Sequence, residues 1–379
     1  MAHTEGVSTA PVDLPLPSVR PAPGTPAAPG TSGRATSGRA TGGLTTGGST
    51  TGGLADTFGR TATDLRLSLT DRCTLRCTYC MPADGMQWLP RAELLTDDEI
   101  VRLARIAVEL LGVRQIRLTG GEPLLRPHLP ALITRLAALT PRPGIAMTTN
   151  GLRLAEFAQL LADAGLDRVN VSLDTVRHDT FRAVTRRDGL DAVLAGLDAA
   201  TAAGLTPVKV NAVLLRDVNE TEASELLDFC VARGFELRFI EAMPLDGGGE
   251  WRRDRMIPAA ETLAVLRKSY DLAPGMRPDG SPAETYAING GPATVGVIAS
   301  VTQPFCADCD RVRLTADGQV RNCLFSTTET DLRGPLRAGA SDEELAQVWR
   351  DAVYGKAAAH GINDAGFEPP ARGMSAIGG

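Results

Sequence analysis

The sequence predicts an α/β fold: a partial TIM-type barrel of six (βα) units with a C-terminal extension. Three observations carry this. From Asp64 to about Glu241, short apolar strands alternate with amphipathic helices, which predicts a parallel sheet with right-handed crossovers. All six strand candidates deliver polar or glycine-bearing motifs at or near their C-terminal ends. An open doubly wound sheet gathers its site at one switch point, whereas a barrel recruits every strand at one face. The third observation is that six of the seven cysteines fall in two tight groups, one just after the first strand and one beyond the last.

Composition bounds the reading. The chain has 379 residues, 43% hydrophobic and 22% charged, which suits a globular protein with a large core. A formal net charge of −6 argues against a general nucleic-acid or membrane-surface binder, while leaving room for a local basic pocket. No apolar run approaches the roughly 18–20 residues of a membrane span. Clustered thiols kept reduced point to the cytoplasm. Cys230 stands alone in an apolar helical pattern and reads as a packing residue.

Taken in order, residues 1–60 are rich in Thr, Gly, Ser, Ala and Pro, with near-repeats such as Thr31-Ser32-Gly33-Arg34-Ala35. Too few apolar side chains are present to offset ordering entropy, so a disordered tail is expected. Residues 61–256 are expected to form the barrel. Its strands are read at Leu65–Leu69, Gln115–Leu118, Ile145–Thr148, Arg168–Ser172, Pro207–Leu214 and Glu236–Ile240. The motifs at their ends are Ser68-Leu69-Thr70, Thr119-Gly120-Gly121-Glu122-Pro123, Thr148-Thr149-Asn150-Gly151, Ser172-Leu173-Asp174, Lys209-Val210-Asn211 and Glu241-Ala242-Met243-Pro244. Alone, the second could be only a turn and the fourth only a helix N-cap. Residues 257–379 form the extension, with a helix over Ala259–Ser269. A hairpin turn at Ala316-Asp317-Gly318-Gln319 and a helix around Asp342–Ala358 follow. The last residues, Met374 to Gly379, read as small and flexible.

Chemistry begins at Cys73, Cys77 and Cys80, spaced C-x3-C-x2-C. Three thiolates can hold three irons of a four-iron cluster and leave the fourth open to a ligand. A zinc knot would want a fourth nitrogen or sulfur ligand, and the nearest histidine is His128. The second set, Cys306, Cys309 and Cys323, is C-x2-C-x13-C, and the hairpin would fold Cys323 back towards the other two. Its spacing alone leaves both zinc, with a fourth ligand such as Asp308, Asp310 or a distant histidine, and a second open cluster. Period-two alternation puts Arg66 opposite Leu65 and Leu67, and Lys209 opposite Val208 and Val210, so both cations point into the barrel. Arg117 precedes the TGGEP turn, and Arg311 and Arg313 share a face beside the second cysteine set. Five cations converging on one cavity suit a polyanion such as a triphosphate. No P-loop and no strand-linked GxGxxG is present.

The stretch Cys73–Cys80, with Tyr79 before its last cysteine, resembles the signature of radical S-adenosylmethionine (SAM) enzymes. With Asp71-Arg72, Met81-Pro82, TGGEP, TTNG, SLD, EAMP, the second cysteine set, Arg311-Val312-Arg313 and the final Gly378-Gly379, the chain from about Asp64 onward is similar to the GTP 3′,8-cyclases of molybdenum cofactor biosynthesis. The low-complexity extension before it departs from that pattern. The resemblance implies two 4Fe-4S clusters, on Cys73, Cys77 and Cys80 and on Cys306, Cys309 and Cys323, and hence a C-terminal extension that carries the second. It implies SAM contacts at Tyr79, Gly121, Ser172 and Met243. It implies GTP contacts at Arg66, Arg117, Thr148, Lys209, Arg311, Val312 and Arg313, and a Gly378-Gly379 tail that reaches into the active site. By the same resemblance a 5′-deoxyadenosyl radical removes the ribose 3′ hydrogen and the carbon radical closes on guanine C8. A reducing electron donor, a downstream cyclic pyranopterin monophosphate synthase and a homodimer are the partners implied, with no nucleic acid or membrane. The competing readings are a peptide-modifying radical SAM maturase and a zinc-stapled binding module.

Overall fold

The computed structural model describes residues 52–277 and 280–378. Most of the expected tail, residues 1–51, and Gly379 lie outside the described residues. The structure begins earlier than expected. Leu54–Ala55 (β1) pairs antiparallel with Thr61–Ala62 (β2), with Leu54 fully buried and Arg60 nearly so. The tail therefore does not extend to residue 60.

Six parallel strands follow in chain order: Asp64–Ser68 (β3), Gln115–Thr119 (β4), Gly144–Thr149 (β5), Arg168–Ser172 (β6), Lys209–Val213 (β7) and Glu236–Ile240 (β8). Alternation decides their facing. Leu65, Leu67, Ile116, Leu118, Val169 and Val210 enter the main core. There they meet the helices Asp97–Arg105 (α1), Leu129–Ala137 (α2), Leu154–Asp163 (α3), His178–Thr185 (α4), Leu190–Ala202 (α5) and Ala223–Ala232 (α6). Residues of opposite parity are left to line the barrel interior. α1 starts at a full capping box, Thr96 with Glu99. Cys230 in α6 is fully buried.

The C-terminal residues do not form a separate layer. After helix Ala259–Leu266 (α7) come Leu272–Pro274 (β9), Glu284–Ile288 (β10) and Thr294–Ile298 (β11). β11 pairs parallel with β8, and Arg311–Leu314 (β12) pairs parallel with β3. The barrel is thus extended at both ends by the last third of the chain. Among the described residues the sheet has twelve strands and stays open, with β9 at one edge and Thr330–Asp331 (β14) at the other. The division at residue 256 accordingly separates two stretches of sequence that share one sheet. β12 turns into Gln319–Arg321 (β13) through Gly318, whose φ of 80° suits the expected hairpin turn. Helices Arg333–Arg337 (α8) and Asp342–Tyr354 (α9) pack behind.

The chain end differs from expectation. Met374–Ile377 (α10) is a helical turn with Ile377 fully buried, so this segment is packed and not loose. Among the described residues no helix is long and apolar enough to cross a membrane.

Candidate active site

Three adjoining cavities run through the barrel mouth, and Met243 lines all of them. The first, about 200 Å³, lies at the C-terminal ends of the strands. Cys73, Cys77, Tyr79, Cys80, Gly121, Thr148, Ser172 and Met243 line it. The second, about 360 Å³, lies deeper and takes in Arg66, Arg117, Thr148, Lys209, Arg311 and Arg313. The third, about 70 Å³, is bounded by Cys306, Cys309 and Cys323. The run therefore begins at one cysteine set and ends at the other.

Three of the six strand-end motifs carry an acidic residue, and each of these staples a neighbouring segment. Buried Glu122 accepts from Thr149 Oγ1 (2.7 Å), Asn150 N (2.7 Å) and Leu124 N (3.0 Å), which ties the TGGEP turn to the TTNG turn. Asp174 accepts from Val213 N (2.7 Å) and from the Tyr79 hydroxyl (2.9 Å), which fixes Tyr79 at the cavity wall. Glu241 accepts from the backbone N–H groups of Ala259 (2.8 Å), Val301 (2.8 Å) and Thr302 (2.9 Å), which locks the extension to β8. Asp174 caps no helix, since the N-cap of α4 is Arg177. Burial raises the Asp174 carboxyl to about 6, against the pull of its two donors.

Gly121 lies in the first cavity wall, but its missing side chain serves the fold. A Cβ there would overlap the carbonyl oxygen of Arg72, and Glu122 N donates to that same oxygen at 2.7 Å. The close approach is to the chain itself.

The first thiols are free and partly exposed. Asn150 Nδ2 lies 3.7 Å from Cys73 Sγ. Burial raises the Cys73 and Cys77 thiols, and the Cys80 thiol to about 12. Without metal these groups hold their protons, so loading must release them. The second set differs. Burial would raise Cys309, but Arg311 and Lys356 beside it bring its thiol to about 7. Lys356 Nζ lies 3.3 Å from its sulfur. Among the described residues no three His, Cys, Asp or Glu side chains converge as one ion requires. A single zinc would hold its sulfurs about 3.8 Å apart, whereas the thiolates of a four-iron cluster sit on separate irons and stand wider.

The cationic cavity holds all five expected cations and two more, Arg168 and Arg238. Register explains the density. Arg313 of β12 pairs with Arg66 of β3, and Arg66 pairs with Arg117 of β4, so three arginines sit side by side on one rung. Like charges in register repel. Asp64 offsets part of this, 3.2 Å from Arg66 Nε and 3.8 Å from Arg117 Nη2. Glu236 pairs with Lys209 (2.5 Å) and Arg238 (3.6 Å). Among the described residues, Asp64 and Asp310 are the carboxylates that line the cavity beside these seven cations. Burial, then the neighbouring Arg66 and Arg311, brings Arg313 down to about 9, and burial pulls Arg117 well below the usual arginine range. Arg117 Nε and the Nε and Nη2 of Arg311 are buried and have no hydrogen-bond partner among the described residues. Orphaned donors on a cavity wall mark where an anion would dock.

Val312 is the expected site residue that the structure turns away. It is fully buried in the core, so only its backbone could meet a ligand. Parity explains this: the alternation that puts Arg311 and Arg313 on the inner face puts Val312 on the outer one. The same parity could have found Arg168, beside inward Asn170, and Arg238, between Leu237 and Phe239. The tail meets the cavity wall, where Met374 is among the lining residues. Arg313 Nη1 donates to the Gly378 carbonyl, and a Cβ on Gly378 would overlap Ser68 Oγ.

Comparison with known proteins agrees with this geometry. The radical SAM superfamily matches residues 67–230, and the Molybdenum Cofactor Synthesis C family matches residues 235–362. A GTP 3′,8-cyclase from Mycobacterium sp. (strain KMS) is 60% identical over 327 residues, covering 86% of this chain and 93% of the relative. The chain belongs to the GTP 3′,8-cyclase family. Another GTP 3′,8-cyclase, from Streptomyces coelicolor, is 59% identical over 328 residues, covering 86% of this chain and 96% of that one. Among solved structures, Streptococcus suis SuiB aligns at a TM-score of 0.56 and 15% identity, over 78% of this chain and 67% of that one. That likeness shows the fold alone. In this GTP 3′,8-cyclase family member the two matched regions meet between residues 230 and 235, earlier than the change of pattern read near residue 257.

Proposed function

We propose that this chain converts GTP to (8S)-3′,8-cyclo-7,8-dihydroguanosine 5′-triphosphate, the first step of molybdenum cofactor biosynthesis. One observation carries the proposal: a cavity lined by seven cations lies between two sets of free thiols, each opening towards it. Cys73, Cys77 and Cys80 fit three irons of a four-iron cluster, and Cys306, Cys309 and Cys323 fit a second. When bound, the first cluster with SAM supplies the radical chemistry that no side chain here can.

The protein's own part is grip, orientation and shelter. Tyr79, Gly121, Ser172 and Met243 form the wall against which SAM would lie, with Tyr79 fixed by Asp174. Arg66, Arg117, Lys209, Arg311 and Arg313 would hold the triphosphate, joined by Arg168 and Arg238. Thr148 lines both cavities and sits where the two substrates would meet. Val312 contributes through its backbone. Gly378 braces Arg313 in the cavity wall, and Gly379 would extend that contact. Holding the two substrates in one oriented pair removes most of the entropic barrier to their reaction. A reducing electron donor, a downstream cyclic pyranopterin monophosphate synthase, a homodimeric assembly and a cytoplasmic setting complete the proposal.

The deciding experiment is anaerobic incubation with GTP, SAM and dithionite, followed by mass analysis of the nucleotide. The cyclised triphosphate is expected, together with 5′-deoxyadenosine. Cys73→Ala is expected to abolish both, and continued SAM cleavage by that variant would remove the first site from the mechanism.

A further inference from the structure

Lys356 has no part in the chemistry above, yet it is only 5% exposed. It follows Gly355, the C-cap of α9, at the helix end where the backbone dipole favours a cation. Its ammonium lies 3.0 Å from the Arg311 carbonyl, 3.2 Å from the Cys309 carbonyl and 3.3 Å from Cys309 Sγ. All three donors are spent on one short turn. Among the described residues no carboxylate pairs with it, so the Cys309 sulfur is the one acceptor in this set that can carry a negative charge. A buried ammonium is costly unless compensated, and here the compensation is the turn that carries a cysteine of the second set.

The segment holding Lys356 is itself clamped. Arg60 donates to the carbonyls of Ala357 (2.6 Å) and Ala358 (2.8 Å) and to that of Cys306 (2.7 Å). Its Nε is anchored on Asp56. Two cations from opposite ends of the chain thus grip the two cysteines that lie three residues apart.

We propose that Lys356 is a positioning residue for the second cluster: its ammonium donates to the Cys309 sulfur, raises the cluster's reduction potential and holds Arg311 facing the substrate cavity. This rests on the reading that Cys306, Cys309 and Cys323 bind a cluster. A charged N–H donor draws electron density from a thiolate ligand and stabilises the reduced state, which carries one more negative charge. Arg60 sets the position from which Lys356 acts.

The test is a redox titration followed by electron paramagnetic resonance on the anaerobically loaded full-length protein. The signal that added SAM does not perturb reports the second cluster. In Lys356→Met that signal is expected at a more negative midpoint, with the other signal unmoved, and Lys356→Arg is expected to restore it. An unshifted midpoint in Lys356→Met overturns the proposal. If the methionine variant loses the second cluster's iron, Lys356→Gln decides, since it keeps a neutral donor. A negative shift in the glutamine variant supports the charge assignment, and a wild-type midpoint there overturns it. A wild-type protein with only about four irons and a single signal would instead remove the second cluster itself, and this proposal with it.

Discussion

A methyl group on Gly121 would strike the carbonyl of Arg72, the residue before Cys73, so this one position sets how the TGGEP turn meets the cysteine loop. A displacement of about 1 Å in a positioned group costs on the order of a hundredfold in rate. Gly121→Ala is therefore expected to lower 5′-deoxyadenosine formation by about that factor while Cys306, Cys309 and Cys323 still load, as measured by product assay beside iron analysis. The residue type was legible in the sequence, but the reason was not. A glycine in a turn motif suggests room for a ligand equally well as room for the chain, and only the backbone trace separates the two. The cations were more legible, because alternation along β3 and β7 fixes which face Arg66 and Lys209 take. That same rule sends the Val312 side chain outward, since it stands between two inward arginines, and leaves its backbone to meet a ligand.

At the scale of elements, α8 and α9 are riveted to the first helix. Asp342 at the start of α9 pairs with Arg102 (2.8 Å) and Arg105 (2.5 Å) of α1, and Arg337 of α8 pairs with Glu99 (2.7 Å). Asp342→Asn is expected to cost about 1 kcal/mol, because the pairs are partly solvated. Burial would raise the Asp342 carboxyl, but its bonds to Arg105 and Arg102 hold it below the ordinary value of 3.8. A depressed folded-state value means that this stability is present above pH 3.8 and lost as the pH falls through the folded value. Thermal melts of the wild type and Asp342→Asn should differ at neutral pH and converge in acid. The tail offers a second element-scale prediction. Deleting Gly378-Gly379 removes the carbonyl that Arg313 grips, and a hydrogen bond to a charged group is worth about tenfold or more. Cyclisation is expected to fall by about that amount, with iron content and SAM cleavage retained. Unchanged turnover would contradict it. Six small residues at a chain end give no periodic signal, which is why the buried turn of α10 was not read from them.

For the whole molecule, the six strand–helix units were legible because each is a local pattern, and strand limits agree within two residues. What adds to the barrel was not, because pairing between distant strands leaves no mark on either sequence. β12 lies against β3 although Thr63 and Asp310, joined there by backbone and side-chain bonds, are 247 residues apart. A chain cut just before β12 should leave the β3 edge bare and the cationic cavity without Arg311 and Arg313, and it should sediment as aggregate on expression. The same pairing sets a clock. A ribosome adding about 5–20 residues per second needs on the order of 10–50 s to pass from β3 to β12. Throughout that interval the nascent barrel carries an unpaired first edge, and the arginine rung is incomplete. The substrate cavity, and the bed for the second cluster beneath it, can take shape only once synthesis is nearly finished. Iron delivery to this enzyme should therefore be a late, post-translational event, made to a chain whose first and last segments have already met.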